Sequence, residues 1–531
     1  MVASPAVAVD DINSATDVIW DVGDAETNVG HTGRIRALVW DFEEYDGKVY
    51  VAGKFLNVYA PNGDQFPQPY LAAFDLYTGD WISSFQPFLR GPAYAIDITD
   101  DGTIIAGGEI PGGLQAVDAI TGADVTTFST DFRHNWGQAT VFDLEIVGDK
   151  TYLGGRFSRH GNDAIANLAR VDTATGAFDP AWTPTTELDV GTPRSGGTNV
   201  FGLTVDVARD RVYVAGKFGS VNQNTQAAYF ATINTTDGAL RTDVPQGLPP
   251  GILSHRESFS MWQHDVQFRD DRVYVGGQAH QTLILDADTL TPLRSHFTNR
   301  GFGDLYAGGD TQVLFVGKNT VWAGCHCWGS LGEYPLNSNN SDNASGNQSY
   351  DEYREVLVEL RDVEGSFNQQ PVSGAYGIDI ETGDVLPVDF EMNGQGGAWA
   401  IFEDSNGRVW AGGQYTRDNA RNRLVRGLAR FSPPGAPVGP PAPPPAGPDG
   451  PEGFRTTYQS RERLVFNWQR VTGAVRYEIL QDGVVVGTDT DRWWTHRNLP
   501  AGTTWSYTIR AVLNDGTVTE QSAAITASTR P

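Results

Sequence analysis

The stretch RVYVAGKF at residues 211–218 recurs along the chain, and its recurrence decides the fold. Six related octapeptides occur, each placing a pair of small residues after an apolar run. The last small residues of successive copies are 55, 47, 61, 61, 48 and 88 positions apart. A period of about 50 residues with variable length indicates one supersecondary unit copied with loop insertions. The other copies are KVYVAGKF (48–55), TIIAGGEI (103–110), KTYLGGRF (150–157), RVYVGGQA (272–279), TVWAGCHC (320–327) and RVWAGGQY (408–415).

Each copy is embedded in the same order of segments. An apolar or alternating run such as VFGLTVDV (200–207) precedes a tight turn and the VYVAG strand. A third run then ends in Asp and a Thr-Gly turn, as in LARVDTATG (168–176), and a fourth short run carries an aromatic residue. Four antiparallel strands per repeat predict an all-β fold, a seven-bladed β-propeller over residues 9–432. Backbone crowding or a positive φ explains the glycines at the strand exit.

The two ends of the repeat region predict how the ring closes. The last repeat offers LVRGLARF (424–431) and then enters a Pro-rich stretch without a fourth strand. The N-terminal stretch DVIWDV (17–22) is a spare strand that precedes the first repeat. We therefore expect the N-terminal strand to complete the last blade and close the ring, which leaves no open sheet edge.

Three further segments differ from the repeats in composition. Residues 326–373 form an insertion in the sixth blade, and its polar part NSNNSDNASGNQS (337–349) predicts a long loop of the kind that often binds something. Residues 433–451 are rich in Pro and Gly, so we expect an extended, semi-rigid linker. Residues 1–8 end in Ala-Val-Ala after Pro5, which fits a remnant of a signal peptide or a short disordered terminus.

Residues 452–531 form a second domain of short alternating strands, which predicts a small β-sandwich. This domain resembles a fibronectin type III domain. The resemblance rests on Trp468, on Tyr477 before the Asp482-Gly483 hairpin, and on the stretch LPAGT (499–503). Trp505 stands where that family has Tyr, and Tyr507 follows two residues later.

The repeats resemble the delta-60 repeat family of secreted bacterial proteins and have a kelch-like rhythm. The phrase that carries the resemblance is GGRFSRHGNDAIANLARVDTATGAFDPAW (154–182), and its Leu-Ala-Arg recurs at 428–430. The resemblance implies a propeller and a secreted or cell-surface location, and it gives little guidance on activity.

Charge and hydropathy exclude some partners. The net charge is −27; residues 452–531 hold nine Arg and eight acidic residues, so they carry +1 and the remainder carries −28. Such an acidic chain repels nucleic acid and anionic lipid. It has no run of eighteen apolar residues, so we predict no transmembrane segment. We expect a monomer whose partner is a glycan or a protein.

The only two cysteines flank a histidine, in the order Cys325, His326, Cys327. Three alternatives remain open: a strained disulfide across one residue, two packed thiols, or a metal site, although this tripeptide supplies at most three ligands. We predict no cofactor. Calcium would suit so acidic a chain, but its loop motif is absent.

The candidate ligand site is the propeller mouth that collects the long loops. Exposed aromatic residues with Arg and His suit a sugar or a peptide, because aromatic faces stack and Arg forks hold carboxylates. The alternative is that the Trp residues only pack between blades. The candidate ligand-binding residues are Arg133, His134, Trp136, Arg194, His255, Arg256, Trp262, His264 and Trp399.

Catalytic signatures are absent: we find no Gly-x-Ser-x-Gly elbow and no His-Glu-x-x-His motif. The first hypothesis is therefore a secreted binding protein whose propeller mouth recognises a glycan or protein, with the sandwich as spacer or adhesion module. The second is an extracellular glycosidase or polysaccharide lyase, and the third is a structural envelope or matrix component. Carboxylates with raised pKa values at the mouth would count against the first hypothesis.

Overall fold

All regular structure that the computed structural model describes is β-strand, and no helix occurs in this part of the chain. None of the described residues forms a helix that could cross a membrane. The chain divides into two compact units, Met1–Val438 and Gly439–Pro531. The described residues are 16–23, 39–135, 137–187, 197–248, 262–277, 281–299, 309–334, 370–386, 390, 397–413, 417–418, 423–433, 451, 453–469, 471, 474–490, 493–513, 518–519 and 521–530.

Within the described residues of the first compact unit, a unit of three antiparallel strands recurs seven times along the chain, and each copy is called a repeat. Repeats one to four lie within residues 39–240, and repeats five to seven within 263–431. The strands from Asp21 to the end of repeat four, including short strands outside the three-strand units, are β1 (Asp21–Gly23), β2 (Val39–Tyr45), β3 (Lys48–Gly53), β4 (Asn57–Tyr59), β5 (Gln65–Pro67), β6 (Leu71–Asp75), β7 (Ala93–Ile98), β8 (Thr103–Gly108), β9 (Leu114–Asp118), β10 (Phe132–His134), β11 (Gly137–Gln138), β12 (Thr140–Val147), β13 (Lys150–Arg156), β14 (Arg159–His160), β15 (Asp163–Ala164), β16 (Leu168–Asp172), β17 (Thr186–Glu187), β18 (Asn199–Asp206), β19 (Arg211–Lys217), β20 (Ser220–Val221) and β21 (Phe230–Ile233). Those of the last three are β22 (Gln263–Arg269), β23 (Arg272–Gly277), β24 (Gln281–Asp286), β25 (Pro292–Asn299), β26 (Thr311–Val316), β27 (Thr320–Tyr334), β28 (Gln370–Asp379), β29 (Val385–Leu386), β30 (Ala398–Glu403), β31 (Val409–Gly413), β32 (Arg417–Asp418), β33 (Arg423–Leu424) and β34 (Leu428–Phe431).

The first strands of the repeats form a closed cycle. Each first strand contacts the first strand of the next repeat, and the first strand of repeat seven contacts that of repeat one. The second strand pairs antiparallel with the first, and the third pairs with the second. Buried apolar side chains fill the space between neighbouring sheets, as where Phe42 packs with Phe402 and Trp410. The first strands in this cycle are β2, β7, β12, β18, β22, β26 and β30.

The fourth strand differs from the prediction. In repeats one to four, the fourth run makes a single isolated bridge to the third strand, such as Phe74 to Trp81. The chain turns away after the Thr-Gly turn, because Phe85 N–H donates back to the carbonyl of Ile82. In repeats five and six the sheets instead merge, since β25 pairs with β27 and joins them into one eight-stranded sheet. Strand β27 continues as a long hairpin with β28 into the predicted insertion, of which 335–369 lie outside the described residues.

The Asp and Thr-Gly pattern after the third strand builds a repeated turn. The Asp118 carboxylate accepts hydrogen bonds from the N–H and hydroxyl of Thr121, and these bonds lower the pKa of Asp118. Gly122 adopts a φ of +80°, which explains glycine at the end of this motif. Asp172 and Thr175 repeat the arrangement in the next repeat.

The N-terminal segment hydrogen-bonds to the third strand of repeat seven. Asp17 N–H donates to the carbonyl of Arg430 at 2.8 Å, and Val22 N–H donates to that of Arg426 at 3.2 Å. The Asp17 carboxylate also lies 2.6 Å from Arg430 Nε. The strand within this segment, however, is Asp21–Gly23, and it pairs with β4 in a separate small sheet. The segment therefore borders repeat seven without becoming a regular strand of that sheet.

We expect Asp17→Ala to lower the free energy of unfolding of the first compact unit by about 2 kcal/mol. The Arg430 side chain is only 7% exposed, so losing Asp17 leaves a buried guanidinium with carbonyl acceptors alone. Urea denaturation followed by tryptophan fluorescence measures the change. Asp46→Asn removes an exposed carboxylate partner of Lys48 and keeps a side chain that tolerates the positive φ at this position, so it is the control and should leave the urea midpoint unchanged. Equal effects of both variants would contradict the buried role of Asp17.

The second compact unit contains two antiparallel sheets around one core. The inner residues include Phe466, Trp468, Tyr477 and Tyr507, all buried. The Tyr507 hydroxyl lies 2.9 Å from His496 Nδ1, and Trp505 is half-buried beside the core. One sheet has the order β35 (Arg455–Gln459), β36 (Arg463–Asn467), β39 (Trp493–Arg497), and the other has the order β38 (Val484–Asp489), β37 (Ala474–Gln481), β40 (Thr504–Leu513), β41 (Ile525–Ser528).

Candidate ligand-binding site

Every first strand of the seven repeats carries one β-bulge at the same place. In repeat one, Val39 pairs with Gly53 and Asp41 pairs with Ala52, so Trp40 is the extra residue. A bulge re-aims the extra side chain and is frequent next to functional sites. The seven bulged residues, called the collar, are Trp40, Tyr94, Phe142, Phe201, His264, Gln312 and Trp399.

The rings of the collar contact one another from repeat to repeat. Their separations fall within the range of favourable aromatic pairs, about 4.5–7 Å. Gln312 interrupts the series between repeats five and seven, and of the rings only Tyr94 is fully buried. Six partly accessible or buried rings thus line one end of the cycle of first strands. The ring-centroid distances are 5.1 Å for Trp399–Trp40, 4.9 Å for Trp40–Tyr94, 6.0 Å for Tyr94–Phe142, 5.3 Å for Phe142–Phe201 and 5.5 Å for Phe201–His264.

Charged residues follow the second strands at the same end of the cycle. Lys54 Nζ lies 3.7 Å from the Glu109 carboxylate. Burial, followed by the neighbouring Glu109, raises the pKa of the Tyr94 hydroxyl. Lys217 Nζ lies 3.9 Å above the Trp262 ring. Arg156 occupies the equivalent position in repeat three, so the aromatic collar is bordered by three cations and one carboxylate, called the rim.

Carboxylates lie one residue further along three of the first strands. The Asp41 carboxylate accepts hydrogen bonds from Phe42 N–H at 2.8 Å and from Ile96 N–H of the next repeat at 2.7 Å. Asp143 and Asp265 do the same, accepting the N–H of the following residue and one N–H from the next repeat. The free edge of a strand leaves backbone N–H groups that need acceptors. These carboxylates therefore tie consecutive repeats together.

A second level of carboxylates follows two residues later in some repeats. Asp97 accepts from Ile146 N–H at 2.7 Å, and Glu145 accepts from Val205 N–H at 3.0 Å. Glu43 occupies the corresponding position in repeat one. The two levels together place six acidic side chains on the first strands of four repeats.

Burial raises the pKa values of these carboxyl groups. It raises the pKa of Asp41 and of Glu145 to about 7, and that of Asp97 and of Asp265 to about 6. The pKa of Asp143 is also raised well above its ordinary value, first by burial and then by Asp265. The hydrogen bonds from backbone N–H groups oppose this shift. Repulsion from Asp265, in a non-adjacent repeat, adds to the rise in the pKa of Asp41 and of Asp143.

Residues without a carboxylate occupy this position in the alternate repeats. Where repeats one, three and five have Asp, repeats two, four and six have Ala95, Gly202 and Val313. A Cβ on Gly202 would lie 2.8 Å from Asp265 Cα, so only glycine fits there. The order of large and small residues along the chain is therefore part of the packing around the carboxylates.

The structure places the sequence-predicted site residues in three groups. His264 and Trp399 belong to the collar, and Trp262 lies beside it under Lys217. Arg133 and His134 lie on β10; Arg133 pairs with Asp131 at 2.7 Å, and burial, followed by Arg156, lowers the pKa of His134. The remaining predictions, Trp136, Arg194, His255 and Arg256, lie outside the described residues.

Cys325 and Cys327 form a disulfide, which was one of the three alternatives from the sequence. His326 lies between them in β27. No group of three His, Cys, Asp or Glu side chains within the described residues is arranged to hold a metal ion.

The sequence prediction missed most of the collar and all the carboxylates beneath it. Trp40, Tyr94, Phe142 and Phe201 stand in the apolar runs that precede the VYVAG strands, where they indicated only core packing. Aligning those runs on the small-residue pair gives the signal that was overlooked. One column of that alignment is aromatic or polar in every repeat, and the next contains Asp41, Asp143 and Asp265.

Comparisons with known proteins find distant likenesses. No protein-family model matches the chain. A poly(3-hydroxybutyrate) depolymerase of Ralstonia pickettii is 34% identical over 80 residues, which cover 15% of this chain and 16% of the depolymerase. The chain thus spans only a small part of that relative's length. The WD40 β-propeller domain of Doa1 is 11% identical with a TM-score of 0.38 and covers 78% of this chain and 97% of that domain. The extracellular domain of the hybrid two-component system BT4673 from B. thetaiotaomicron is 10% identical with a TM-score of 0.42, over 97% of this chain and 60% of that one.

Proposed function

We propose that the first compact unit is a seven-bladed β-propeller of the delta-60 repeat kind, followed by a fibronectin type III-like domain. Two observations support the propeller: a unit of three antiparallel strands recurs seven times within the described residues, and the first strands contact one another in a closed cycle. The two-sheet core around Trp468 and Tyr477 supports the second assignment. Both assignments agree with the sequence motifs on which the resemblances rest.

In this proposal the protein is a secreted or cell-surface binding protein, and the collar recognises a glycan. The observation that carries the proposal is the series of six aromatic rings at one end of the cycle. Aromatic faces bind the apolar faces of sugar rings, and a polar border supplies hydrogen bonds to hydroxyl groups. Lys54, Glu109 and Arg156 provide such a border.

The test is binding of the full chain to an array of bacterial, algal and plant glycans, followed by titration of each hit. We expect Trp399→Ala and Trp40→Ala to weaken binding about tenfold or more, because buried aromatic anchors dominate binding energies. The affected rings are neighbours in the collar, 5.1 Å apart. Trp81→Ala is the matched control, because Trp81 is also partly buried among aromatic rings but lies outside the collar. A glycan that both collar variants bind as tightly as the unmodified protein would overturn the proposal.

The carboxyl groups beneath the collar favour a second candidate function, cleavage of a polysaccharide by hydrolysis or by elimination. A carboxyl with a pKa near 6 or 7 can act as a general acid at neutral pH, and such groups count against a purely binding role. The backbone hydrogen bonds that occupy Asp41, Asp143 and Asp265 favour a structural role instead. Incubating each array hit with the protein and counting new reducing or unsaturated ends separates the two functions. If the unmodified protein produces new ends and the Asp41→Asn variant does not, the result would favour the enzymatic function.

A further inference from the structure

One outer sheet face of the second compact unit combines arginine and aromatic side chains. Residues directly opposite in antiparallel strands share a face, so the register of β35, β36 and β39 identifies its members. Asn467 pairs with Arg455 and Trp493, Val465 pairs with Tyr458 and Thr495, and Arg463 pairs with Arg497. The intervening residues of β36, Leu464 and Phe466, point into the core. The arginine face therefore consists of Arg455, Tyr458, Arg463, Val465, Asn467, Trp493, Thr495 and Arg497.

The large side chains of the arginine face are accessible. Trp493 is 56% exposed and Tyr458 is 48% exposed, high values for aromatic residues of a folded domain. The Arg463 guanidinium lies over the Tyr458 ring, 4.8 Å from its centroid, which is a cation–π contact. Arg455 and Arg497 are also exposed. The face thus offers two stacking platforms with guanidinium groups beside them.

Among the described residues of this unit, no ion pair involves an arginine of this face. None of the residues at its register positions is acidic, and Arg461 and Glu462 in the adjoining turn cancel each other. The opposite sheet shows the contrast, since Arg476 and Arg510 both pair with Glu478, at 3.0 and 2.9 Å. Three cations are therefore concentrated on one face of a chain whose net charge is −27.

We propose that the arginine face binds an anionic polysaccharide rich in uronic acid. Guanidinium forks grip carboxylates through two parallel hydrogen bonds, and exposed Trp and Tyr rings stack on sugar faces. From the row of Trp493 to the row of Arg497 is about 13 Å at the usual rise per strand residue, so the face accommodates an extended polymer. This binding site is separate from the collar and gives the second compact unit a function other than that of a spacer.

The experiment titrates the full chain with polygalacturonate and with dextran as a neutral polymer. We expect the protein to bind polygalacturonate and not dextran. The affinity should fall as the salt concentration is raised from about 50 to about 500 mM, because salt screens the attraction between exposed charges over this range. The triple variant Arg455→Gln, Arg463→Gln, Arg497→Gln should lower affinity about 30-fold or more, since hydrogen bonds to charged groups contribute strongly. Trp493→Ala should lower it about tenfold. These side chains are on the surface, so the variants should keep the fold.

Matched variants locate the binding site. Arg476→Gln removes one arginine of the same unit that already pairs with Glu478, and it should change affinity less than about twofold. Trp399→Ala in the collar should leave polygalacturonate binding unchanged, which keeps this proposal distinguishable from glycan binding at the collar. Unaltered binding by the triple variant would overturn the proposal. So would binding to vesicles of anionic lipid or to single-stranded DNA in place of polygalacturonate.

Discussion

Gly216→Ala should lower the free energy of unfolding of the repeat unit by about 3 kcal/mol, at the upper end of the usual cost of overpacking. A Cβ at this position would lie 2.3 Å from the carbonyl oxygen of Asn199 and 3.0 Å from Val200 Cα. Both contacts are with backbone, so neither can be relieved by rotating a side chain. Backbone movement would disturb the bulge that places Phe201 in the collar.

The same collision recurs around the cycle, which makes the prediction general. A Cβ on Gly108, Gly155, Gly277 or Gly413 would lie 2.0–2.3 Å from a carbonyl oxygen of the neighbouring first strand. None of these glycines has a positive φ. Crowding by the bulged strand is therefore the reason for glycine at the strand exit, and of the two explanations that the sequence offered, the other is wrong.

Urea denaturation of Gly216→Ala and of Gly137→Ala measures the effect. Gly137 also lacks a positive φ, and its nearest contact to an added Cβ is ordinary, 3.6 Å from the carbonyl oxygen of His134. We expect Gly137→Ala to change the urea midpoint little. Equal stability of the two variants would show that the first strand can shift without cost and would contradict the argument from crowding.

The sequence predicts the repeated strands well because each is short, apolar and bounded by turn residues. The VYVAG strands and the Asp and Thr-Gly turns occur where the pattern places them. The fourth strands are predicted less well, since one hydrogen-bonded bridge and a full strand have similar local sequences. The merging of repeats five and six depends on the pairing of Ser295 with Tyr334, a contact between distant segments that no local pattern specifies.

The candidate site was only partly predictable, because a bulge breaks the alternation on which strand prediction rests. In a regular strand Trp40 and Phe42 would share a face, and Trp40 would count as core. The extra residue removes Trp40 from that alternation and brings it against Tyr94 and Trp399. The sequence prediction, which rests on long loops and exposed aromatic residues, includes His264 and Trp399 of the collar and omits their neighbours; the ligand-binding role of both residues stays a prediction.

Stability of the repeat unit should increase as the pH falls from 8 to 5.5, by about 3 kcal/mol or more. The carboxyl groups of Asp41 and Glu145 have pKa values raised to about 7, and those of Asp97 and Asp265 to about 6. A raised pKa means that the folded state binds the proton more tightly than the unfolded state. The resulting stability is fully present below the unfolded pKa of about 4 and is lost as the pH rises through 6 and 7.

Histidines with lowered pKa values oppose the rise in stability at falling pH and limit the pH range over which it occurs. Burial lowers the pKa of His296 to about 4 and also lowers that of His160. A histidine with a lowered pKa stabilises the folded state above its unfolded value of about 6.5 and destabilises it as the pH falls toward 4. Because the raised carboxyl groups outnumber the strongly shifted histidines, we expect maximal stability at mildly acidic pH and a decline below it.

Asp41→Asn tests the cause. Asparagine keeps one acceptor oxygen, but its NH2 group faces the second backbone N–H, so the variant loses one of the two hydrogen bonds at either pH. Because asparagine cannot ionise, the gain in stability from pH 8 to pH 5.5, measured by urea unfolding, should be smaller for the variant than for the unmodified protein. Asp46→Asn, an exposed carboxylate whose pKa Lys48 lowers, should leave the pH dependence unchanged. Stability that rises from pH 5.5 to 8 would contradict the argument, since the charges would then be stabilising.

The same titration bears on function: a protonated carboxyl beside the collar near pH 6 or 7 is the state that a general acid requires. If Asp41→Asn flattens the pH dependence and leaves glycan binding intact without any loss of hydrolysis, the carboxyl groups serve to hold the repeats together and the collar alone carries the function.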